Sequence, residues 1–446
     1  MKLSYKALCL IACTALLSVG ILACAKQPKA EEAEAGPKDI HFWHAFGDEA
    51  RSGWIQQMAD KWNESQSDYK VNPETKGSYR ETLNASILAA RQNQTPHLVH
   101  VFEVGSQLAF DSQIFTPVGS IEDFDFSDYI DSVLNYYTIN GQVNSIPFNS
   151  SSPVLYYNKD LMREAGLDPE SPPQTFTELL SALQLAKTQG LEAAGFGFNL
   201  HGWFFEQWVA QQGGLLADND NGRNGRATQV LLQSSEMQNV FNFIQILNQD
   251  GLYKYTGKLE DWSGSDAIFT SGKVMFHMTS TADAGNLARA VEGKFELGTG
   301  FMPIPEGAER NGTVIGGGSV WLGKDRPKEE QIAARDFLVF MTNTENMAEW
   351  HKLTGYYPVR KSSIDLLRSE GWFESNPLFT TAFDQLLETR ANYATAGALL
   401  GSFLDTRTIV EEAVQQVLNG GNIAEVLTEA DAKANTKLTE YNQNIQ

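Results

Sequence analysis

The chain has little cysteine and few basic residues. Its three cysteines, Cys9, Cys13 and Cys24, all lie within the first 24 residues, so the remainder can form neither a disulfide nor a thiol-based active site. Lys and Arg number 34 against 55 Asp and Glu, which gives a net charge of −21. Binding to nucleic-acid phosphates requires positive charge that this chain lacks, although a buried arginine can still hold a small anion. We expect no nucleic-acid partner.

Recognisable catalytic and metal-binding motifs are also missing. The seven histidines are scattered along the chain. The segment 218–225 (DNDNGRNG) resembles a calcium loop, but Ala217 and Thr228 fall where Asp and Glu are required. GGGSVW (316–321) lacks the second glycine of a nucleophile elbow. We therefore expect no metal, no cofactor and no enzymatic activity.

The N-terminal segment is typical of a bacterial lipoprotein. Two lysines precede an apolar run at 7–23, which Cys24 follows directly. This is the layout of a signal peptide (1–23) that is cleaved before a lipidated cysteine. An uncleaved membrane anchor is the alternative, because the run nearly reaches the length of a membrane span. Residues 24–38 are rich in Ala, Glu, Lys and Pro and predict a tether. We expect an exported protein, held to a membrane by Cys24 and facing the periplasm or the cell exterior.

Strand-like and helix-like patterns alternate from residue 39 onward. The runs 40–46 and 97–104 predict strands, and the spacing of Trp54, Met58 and Trp62 predicts one face of a helix between them. Strands that alternate with helices are typical of a parallel α/β layer. A second series of the same kind follows residue 159.

Joins rich in Gly and Pro fall near 147–153, 303–318 and 356–360. Three such joins, with α/β patterns on both sides, predict three crossings between two lobes that are each discontinuous in sequence. The expected boundaries are as follows: lobe 1 comprises 39–149 and 312–358, and lobe 2 comprises 150–311 and 359–446.

The segment Pro147–Lys159 (PFNSSSPVLYYNK) carries the strongest functional signal. Three consecutive hydroxyls follow Asn149 and precede a predicted strand. Hydrogen-bond donors are crowded there without a neighbouring acid, His or Cys, which favours holding a polar ligand over transforming one.

Long motifs of the chain resemble a known family. FNSSSPVLYYNKD, AGLDPE (165–170), EWHKLTGYYPV and IGGGSVW are similar to those of the bacterial extracellular solute-binding proteins of family 1, in particular the group that binds sn-glycerol 3-phosphate for ABC importers. The resemblance runs from FWH (42–44) to the C-terminal region. It implies two α/β lobes joined by a hinge, with the ligand trapped between them, and the membrane subunits of an ABC importer as partners.

The resemblance also implies ligand contacts at positions whose local motif matches. The expected contacts are Tyr79, Glu103, Ser151, Trp203, Ser280, Gly317, Tyr356 and Arg407. Among these, Arg407 is the expected partner of the phosphate, because its planar guanidinium forms paired hydrogen bonds with phosphate oxygens. Glu103 is expected to face away from the phosphate and to accept from glycerol hydroxyls.

Each contact has a simpler alternative interpretation. Ser151 can satisfy a turn, Gly317 can serve only as a hinge, and Arg407 can pair with Asp405 at the surface. Tyr356 can belong to the core. The joint occurrence of the motifs, rather than any single residue, favours the binding interpretation.

One position departs from the related sequences. The stretch FNLHGWFFEQW has Leu200 where the related group has the first of two tryptophans, whereas Trp203 matches the second. A smaller side chain would open volume beside the phosphate for a larger head group, such as that of glycerophosphocholine, with Trp203 or Phe204 facing its cation. Leu200 is therefore the expected specificity position, although it can equally repack the wall without changing the ligand.

We expect a monomeric receptor for sn-glycerol 3-phosphate or a glycerophosphodiester. An oligosaccharide receptor of the same family is the main alternative, because 9 Trp, 14 Tyr and 25 Phe offer rings on which sugars can stack. A phosphodiester hydrolase is a further alternative, but it would need a metal cluster or an activated nucleophile.

Overall fold

The computed structural model describes residues 36–121 and 124–445. The expected signal peptide, the lipidated Cys24 and most of the tether lie outside the described residues. Residues Pro37–Gln446 form one compact unit. Within the described part of the chain, none of the helices has the length and apolar composition that crossing a membrane requires.

The strands form two main sheets and a short hairpin. The strands are β1 (Lys38–His44), β2 (Tyr69–Thr75), β3 (Leu98–Phe102), β4 (Phe115–Thr116), β5 (Thr138–Ile139), β6 (Gln142–Val143), β7 (Ile146–Ser151), β8 (Pro153–Asn158), β9 (Phe196–Phe198), β10 (Phe276–Ser280), β11 (Leu297–Gly300) and β12 (Gly316–Gly323). The first sheet has the order β2-β1-β3-β12-β4, with β7 also paired to β12, and the second has the order β11-β8-β10-β9. In the first sheet β1 is parallel to both β2 and β3, whereas β12 is antiparallel to its neighbours. We call the part built on the first sheet lobe 1 and the part built on the second sheet lobe 2.

Helices surround both sheets. The helices are α1 (Glu49–Glu64), α2 (Tyr79–Ala90), α3 (Ser106–Asp111), α4 (Asp131–Tyr136), α5 (Lys159–Glu164), α6 (Phe176–Thr188), α7 (Gly202–Gln211), α8 (Asp218–Gly222), α9 (Ser235–Gln249), α10 (Trp262–Thr270), α11 (Ala284–Val291), α12 (Lys328–Met341), α13 (Thr344–Thr354), α14 (Lys361–Ser369), α15 (Trp372–Ser375), α16 (Pro377–Leu387), α17 (Phe403–Leu418) and α18 (Ile423–Ile445). Of these, α8 is a single turn with left-handed residues. The two C-terminal helices α17 and α18 pack against each other and against α9.

Local sequence signals explain several of these elements. The predicted helical stripe is confirmed, since α1 buries Trp54, Met58 and Trp62, and Asp48 caps it by accepting from the Arg51 N–H. The helix α6 begins with a capping box, in which Thr175 and Glu178 each accept a hydrogen bond from the backbone N–H of the other. These contacts fix the ends of helices whose apolar faces cover the sheets.

The chain passes between the two sheets at the first two of the predicted joins. Only Ser152 separates β7 of the first sheet from β8 of the second, and residues 301–315 lead from β11 to β12. The third join lies beside the first, because the N–H of Tyr357 donates to the carbonyl of Ser150 at 2.7 Å. The three joins therefore converge around the end of β7.

Gly317 lies at this convergence and requires a glycine backbone. It pairs with Ser150 across the β12–β7 ladder, and its φ is +104°. A Cβ atom at this position would lie 1.9 Å from the carbonyl oxygen of Asn149. Both the left-handed conformation and the close backbone contact therefore exclude a side chain.

We expect Gly317→Ala to lower the free energy of unfolding more than Gly257→Ala. Gly257 also has a positive φ, of +83°, but no heavy atom of the described residues lies within 4 Å of its Cβ position. Both variants should lose roughly 1 kcal/mol because of the left-handed backbone. The clash with Asn149 should cost Gly317→Ala about 1–3 kcal/mol more. Urea unfolding followed by circular dichroism measures the difference; equal losses would contradict this account of Gly317.

Candidate functional site

A cavity of about 570 Å³ lies between the lobes. It is lined by all eight of the residues expected to contact the ligand: Tyr79, Glu103, Ser151, Trp203, Ser280, Gly317, Tyr356 and Arg407. It is also lined by residues that the sequence analysis did not single out, among them Arg51, Ser78, Arg80, His201, Glu260, Trp262 and Asp283. Leu200 is not among the lining residues.

The cavity-lining residues of lobe 1 and of the joins lie at the ends of strands and helices. Tyr79 is the first residue of α2, immediately after the capping residue Ser78. Glu103 directly follows β3, and Ser151 ends β7. Tyr356 follows Gly355, which ends α13 in a left-handed conformation. Strand ends and helix starts thus converge on the cleft, which is where open α/β sheets place their ligands.

Lobe 2 supplies the facing wall. Ser280 ends β10 and caps the turn that follows it. Trp203 lies in the first turn of α7, and Arg407 lies in α17. Gly202 allows α7 and α17 to approach closely, because a Cβ there would lie 2.7 Å from the Arg407 Cγ. The packing of these two helices therefore sets where Arg407 lies.

The hydroxyl groups of the cavity have protons available for a ligand. The Tyr79 hydroxyl accepts a hydrogen bond from Asn149 Nδ2 at 2.8 Å, and the Ser280 hydroxyl accepts from the Ala282 N–H at 3.1 Å. Because an oxygen that accepts can still donate its own hydrogen, both can donate to a bound anion. Burial raises the pKa of Tyr79 and of Tyr356, so both phenols stay protonated.

Arg407 is already paired with two buried carboxylates. Its Nε and Nη2 donate to the two oxygens of Glu206 at 2.6 and 2.8 Å, and Nη2 also donates to Glu103 at 2.7 Å. Burial alone would lower the pKa of Arg407, but the two carboxylates outweigh it and hold that pKa above its usual value. Burial raises the pKa of Glu103, although Arg407 opposes the shift. The cluster thus contains one basic side chain, Arg407, and two acidic ones, Glu103 and Glu206.

This pairing bears on the roles expected for Arg407 and Glu103. From the sequence, Arg407 was expected to bind the phosphate and Glu103 was expected to face away from it. With 2.7 Å between the Arg407 Nη2 and the Glu103 Oε1, a phosphate on this guanidinium would also approach the carboxylate. The two expected roles compete, and the alternative pairing of Arg407 with Asp405 at the surface does not occur, because Arg407 is only 8% exposed and bonds to other acids.

Arg51 is a cation of the cavity that was not expected from the sequence. Its Nε donates to Asp48 at 2.6 Å, and its Nη1 donates to the Tyr356 hydroxyl at 3.3 Å. The guanidinium carbon lies 4.8 Å from the centroid of the Phe46 ring. The sequence contained one signal for this residue. Arg51 lies in the first turn of a predicted helix, where the helix dipole disfavours a positive charge, so a function is a reason for an arginine there.

Leu200 does not form the wall that was expected of it. It is 1% exposed and belongs to the hydrophobic core, and its carbonyl accepts from the Glu260 N–H at 3.1 Å. The segment that carries Glu260 brings Trp262 within 6.1 Å of Trp203, measured between ring centroids. Trp262, rather than an opening at Leu200, therefore shapes this part of the cavity. Phe204 is fully buried and does not line it.

His201, Glu260 and Glu411 place one potential metal-ligand atom each within 4.8 Å of one another. Nδ1 of His201 accepts from the Trp203 N–H at 3.0 Å, and burial lowers the pKa of His201 well below its usual value. The neutral ring therefore carries its proton on Nε2, where a metal would need a lone pair. One Glu411 oxygen is also occupied, because it accepts from the Gly202 N–H at 2.7 Å. His201 therefore offers a proton rather than a lone pair to this group, beside the carboxylates of Glu260 and Glu411.

We expect Glu411→Gln to stabilise the protein at pH 8 and to have little effect at pH 4.5. Burial raises the pKa of Glu411 from 4.5 to about 7, so the folded chain binds this proton more tightly than the unfolded chain does. The free energy of unfolding therefore falls as the pH rises from 4.5 through 7, by up to about 3 kcal/mol. Glutamine carries no charge and retains an oxygen for the Gly202 N–H.

Urea unfolding at the two pH values measures this effect. Glu412→Gln, at an exposed position of the same helix, is the control and should change the unfolding free energy by less than about 0.5 kcal/mol. Equal stabilities of the wild type and Glu411→Gln at pH 8 would contradict the role of burial.

Comparison with known proteins agrees with this architecture. The chain matches the family model described as bacterial extracellular solute-binding protein over residues 57–381. It is 34% identical over 392 residues to the sn-glycerol-3-phosphate-binding periplasmic protein UgpB of Escherichia coli (strain K12), a match that covers 85% of this chain and 88% of that protein.

Two solved structures resemble the fold closely. The cyclic alpha-maltosyl-1,6-maltose binding protein from Arthrobacter globiformis superposes with a TM-score of 0.75 at 24% identity, covering 91% of this chain and all of that one. UgpB from Mycobacterium tuberculosis, in complex with glycerophosphocholine, superposes with a TM-score of 0.75 at 22% identity, covering 91% and 99% of the respective chains. The expected two-lobed α/β fold is confirmed. The chain belongs to the family of bacterial extracellular solute-binding proteins.

Proposed function

We propose that the protein is the solute-binding receptor of an ABC importer and that it binds sn-glycerol 3-phosphate or a glycerophosphodiester. One observation carries the proposal: eight residues from separate sequence motifs line a single cavity between the lobes. In this proposal the receptor is an exported monomer anchored through a lipid on Cys24, and it acts without a cofactor and without turning over its ligand. The relatives are named as binding proteins, which supports a role in binding rather than catalysis.

The charges of the cavity support a ligand that contains an anion. Arg51, Arg80 and Arg407 line it, together with several hydroxyl groups. A neutral sugar does not need buried arginine, whereas a phosphate gains charge-assisted hydrogen bonds from it. Acids of the same cavity, Glu103 and Glu260 among them, can accept from hydroxyl groups of the ligand.

Binding is coupled in this proposal to closure of the two lobes. The proposed lobes comprise 39–149 with 312–358 and 150–311 with 359–446. Because Tyr79 and Glu103 come from one lobe and Ser280 and Arg407 from the other, only the closed form offers the ligand all contacts. A ligand that contacts both lobes therefore favours the closed state.

One corner of the cavity favours the diester over the monoester. The indole rings of Trp203 and Trp262 lie 6.1 Å apart, and the ring of His201 lies 5.3 Å from Trp262. Glu260 lies beside them with a φ of +52°, a strained backbone of the kind found at functional sites. Aromatic rings beside a carboxylate are suited to a quaternary ammonium group such as choline.

Calorimetry on the purified protein tests the proposed ligand class. sn-Glycerol 3-phosphate, glycerophosphocholine and maltose are titrated in turn. We expect heat of binding with at least one of the phosphate compounds and none with maltose. Binding of maltose without binding of either phosphate compound would establish the oligosaccharide alternative instead, and release of free choline from the diester would establish a hydrolase.

We expect Trp262→Ala to weaken the binding of glycerophosphocholine more than that of sn-glycerol 3-phosphate. Loss of a cation–π contact of about 0.5–2 kcal/mol corresponds to roughly a 3- to 30-fold loss of affinity. Trp262→Phe keeps an aromatic face and is the matched control, which should retain most of the affinity. Equal losses for both ligands in Trp262→Ala would show that no cation is held at this corner.

A further inference from the structure

Two arginines that line the cavity, Arg51 and Arg407, differ in what they can offer a ligand. Arg407 uses its Nε hydrogen and both Nη2 hydrogens on Glu206 and Glu103, which leaves Nη1. Both of those acids are buried, at 8% and 6% exposure. A phosphate brought to Arg407 would meet two fixed negative charges in a region of low dielectric, where like charges repel strongly.

Arg51 offers more unused donors, and the acid that it is paired with is partly exposed. Its Nε donates to Asp48 and one Nη1 hydrogen is directed to Tyr356, whereas no described residue accepts from Nη2. Asp48 is 39% exposed at its side chain, so water screens its charge. Arg51 is therefore better placed than Arg407 to receive an additional anion.

Arg51 and two phenols surround one aromatic ring. The Phe46 ring centroid lies 4.8 Å from the guanidinium carbon of Arg51 and 6.2 Å from the ring centroids of both Tyr79 and Tyr356. Phe46 itself is 4% exposed, so it forms a fixed support for all three. The hydroxyl of Tyr356 accepts from Arg51, which leaves its own proton for a ligand, as at Tyr79.

We propose that Arg51, with the hydroxyl groups of Tyr79 and Tyr356, holds the phosphate of the ligand, and that Arg407 is a positioning residue that holds Glu103 toward the glycerol hydroxyls. This inference rests on the proposed function, because it assumes a phosphate-bearing ligand. The roles of Arg407 and Glu103 then no longer compete, because Arg51 binds the phosphate while Glu103, held by Arg407, binds the glycerol.

The acids near Arg51 restrict which anions it can bind. Asp283 lines the same cavity, and burial raises its pKa to about 6. Its carboxylate accepts from the Thr279 hydroxyl at 3.0 Å. Because Asp48 and Asp283 lie nearby, the anion site must hold its ligand by directed hydrogen bonds rather than by net positive charge. Phosphate is suited to such a site, because its oxygens can accept paired hydrogen bonds from the planar guanidinium of Arg51.

Calorimetry at pH 7.5 with sn-glycerol 3-phosphate and glycerophosphocholine tests the assignment. We expect Arg51→Gln to lower the affinity for sn-glycerol 3-phosphate by about 10- to 100-fold, which is the effect of losing charge-assisted hydrogen bonds. The loss should be smaller for the diester, because its phosphate carries one negative charge and the monoester carries nearly two at this pH. Tyr356→Phe, which loses only a hydroxyl, should lower the affinity for both by about 3- to 10-fold.

Arg91→Gln is the matched control, because Arg91 is an exposed arginine that does not line the cavity. It should alter either affinity by less than about 3-fold. Arg51→Lys, which keeps the positive charge, should recover part of the affinity and guards against a failure of Arg51→Gln to fold; thermal unfolding establishes that each variant is folded.

Arg407→Gln provides the test of the positioning role. We expect it to lower the affinities for the monoester and the diester by the same factor, because Glu103 contacts the glycerol that both ligands share. A larger loss for the monoester in Arg407→Gln would return the phosphate to Arg407 and overturn the inference.

The outcomes separate the inference from the function on which it rests. Binding of sn-glycerol 3-phosphate by the wild type with an unchanged affinity in a folded Arg51→Gln overturns the inference alone. Binding of neither phosphate compound by the wild type overturns the proposed function and the inference with it. Selective loss of affinity for the monoester in Arg51→Gln, with the affinities of Arg91→Gln unchanged, supports both.

Discussion

The buried ion cluster of Arg407, Glu103 and Glu206 is the interaction on which the geometry of the cleft depends. Glu103 belongs to lobe 1, whereas Glu206 and Arg407 belong to helices of lobe 2, so the cluster joins the lobes through side chains. Removing one partner from such a group leaves an uncompensated buried charge, at a cost of about 3–5 kcal/mol. In this arrangement of the lobes, the three residues therefore hold the end of β3 close to α7 beside the cavity.

The rest of the cleft is arranged around that fixed point. On one side, Arg51 and two phenols surround Phe46 and present hydrogen-bond donors. Elsewhere in the cavity Trp203 and Trp262 present rings. A small ligand with a phosphate, free hydroxyls and an organic cation has a complementary group for each of these surfaces. A cleft with only aromatic rings would be suited to sugars instead.

The sequence predicted those features that are controlled by neighbours along the chain. The stripe of Trp54, Met58 and Trp62 and the cap at Asp48 follow from residues within one helix, so they are visible without a fold. The eight expected contacts, which were carried over from the family resemblance motif by motif, line one cavity. Whether each one touches the ligand stays a prediction.

The features that the sequence did not predict depend on partners far along the chain. Arg51 gains its significance from Tyr356, which lies 305 positions later. Trp262 lies at the cavity beside a hydrogen bond from the Glu260 N–H to the Leu200 carbonyl. The sequence motif around residues 200–203 contains no information about this contact.

Composition, helix caps, strand patterns and the family were thus determined by the sequence itself, since each rests on residue type and on short spacing. The pairing of Arg407 with two acids, the availability of Arg51 and the position of Trp262 were decided only by the tertiary structure. The reason is physical: the energy of a charge depends on its distance from other charges and on its exclusion from water. Folding sets both quantities for residues that are hundreds of positions apart.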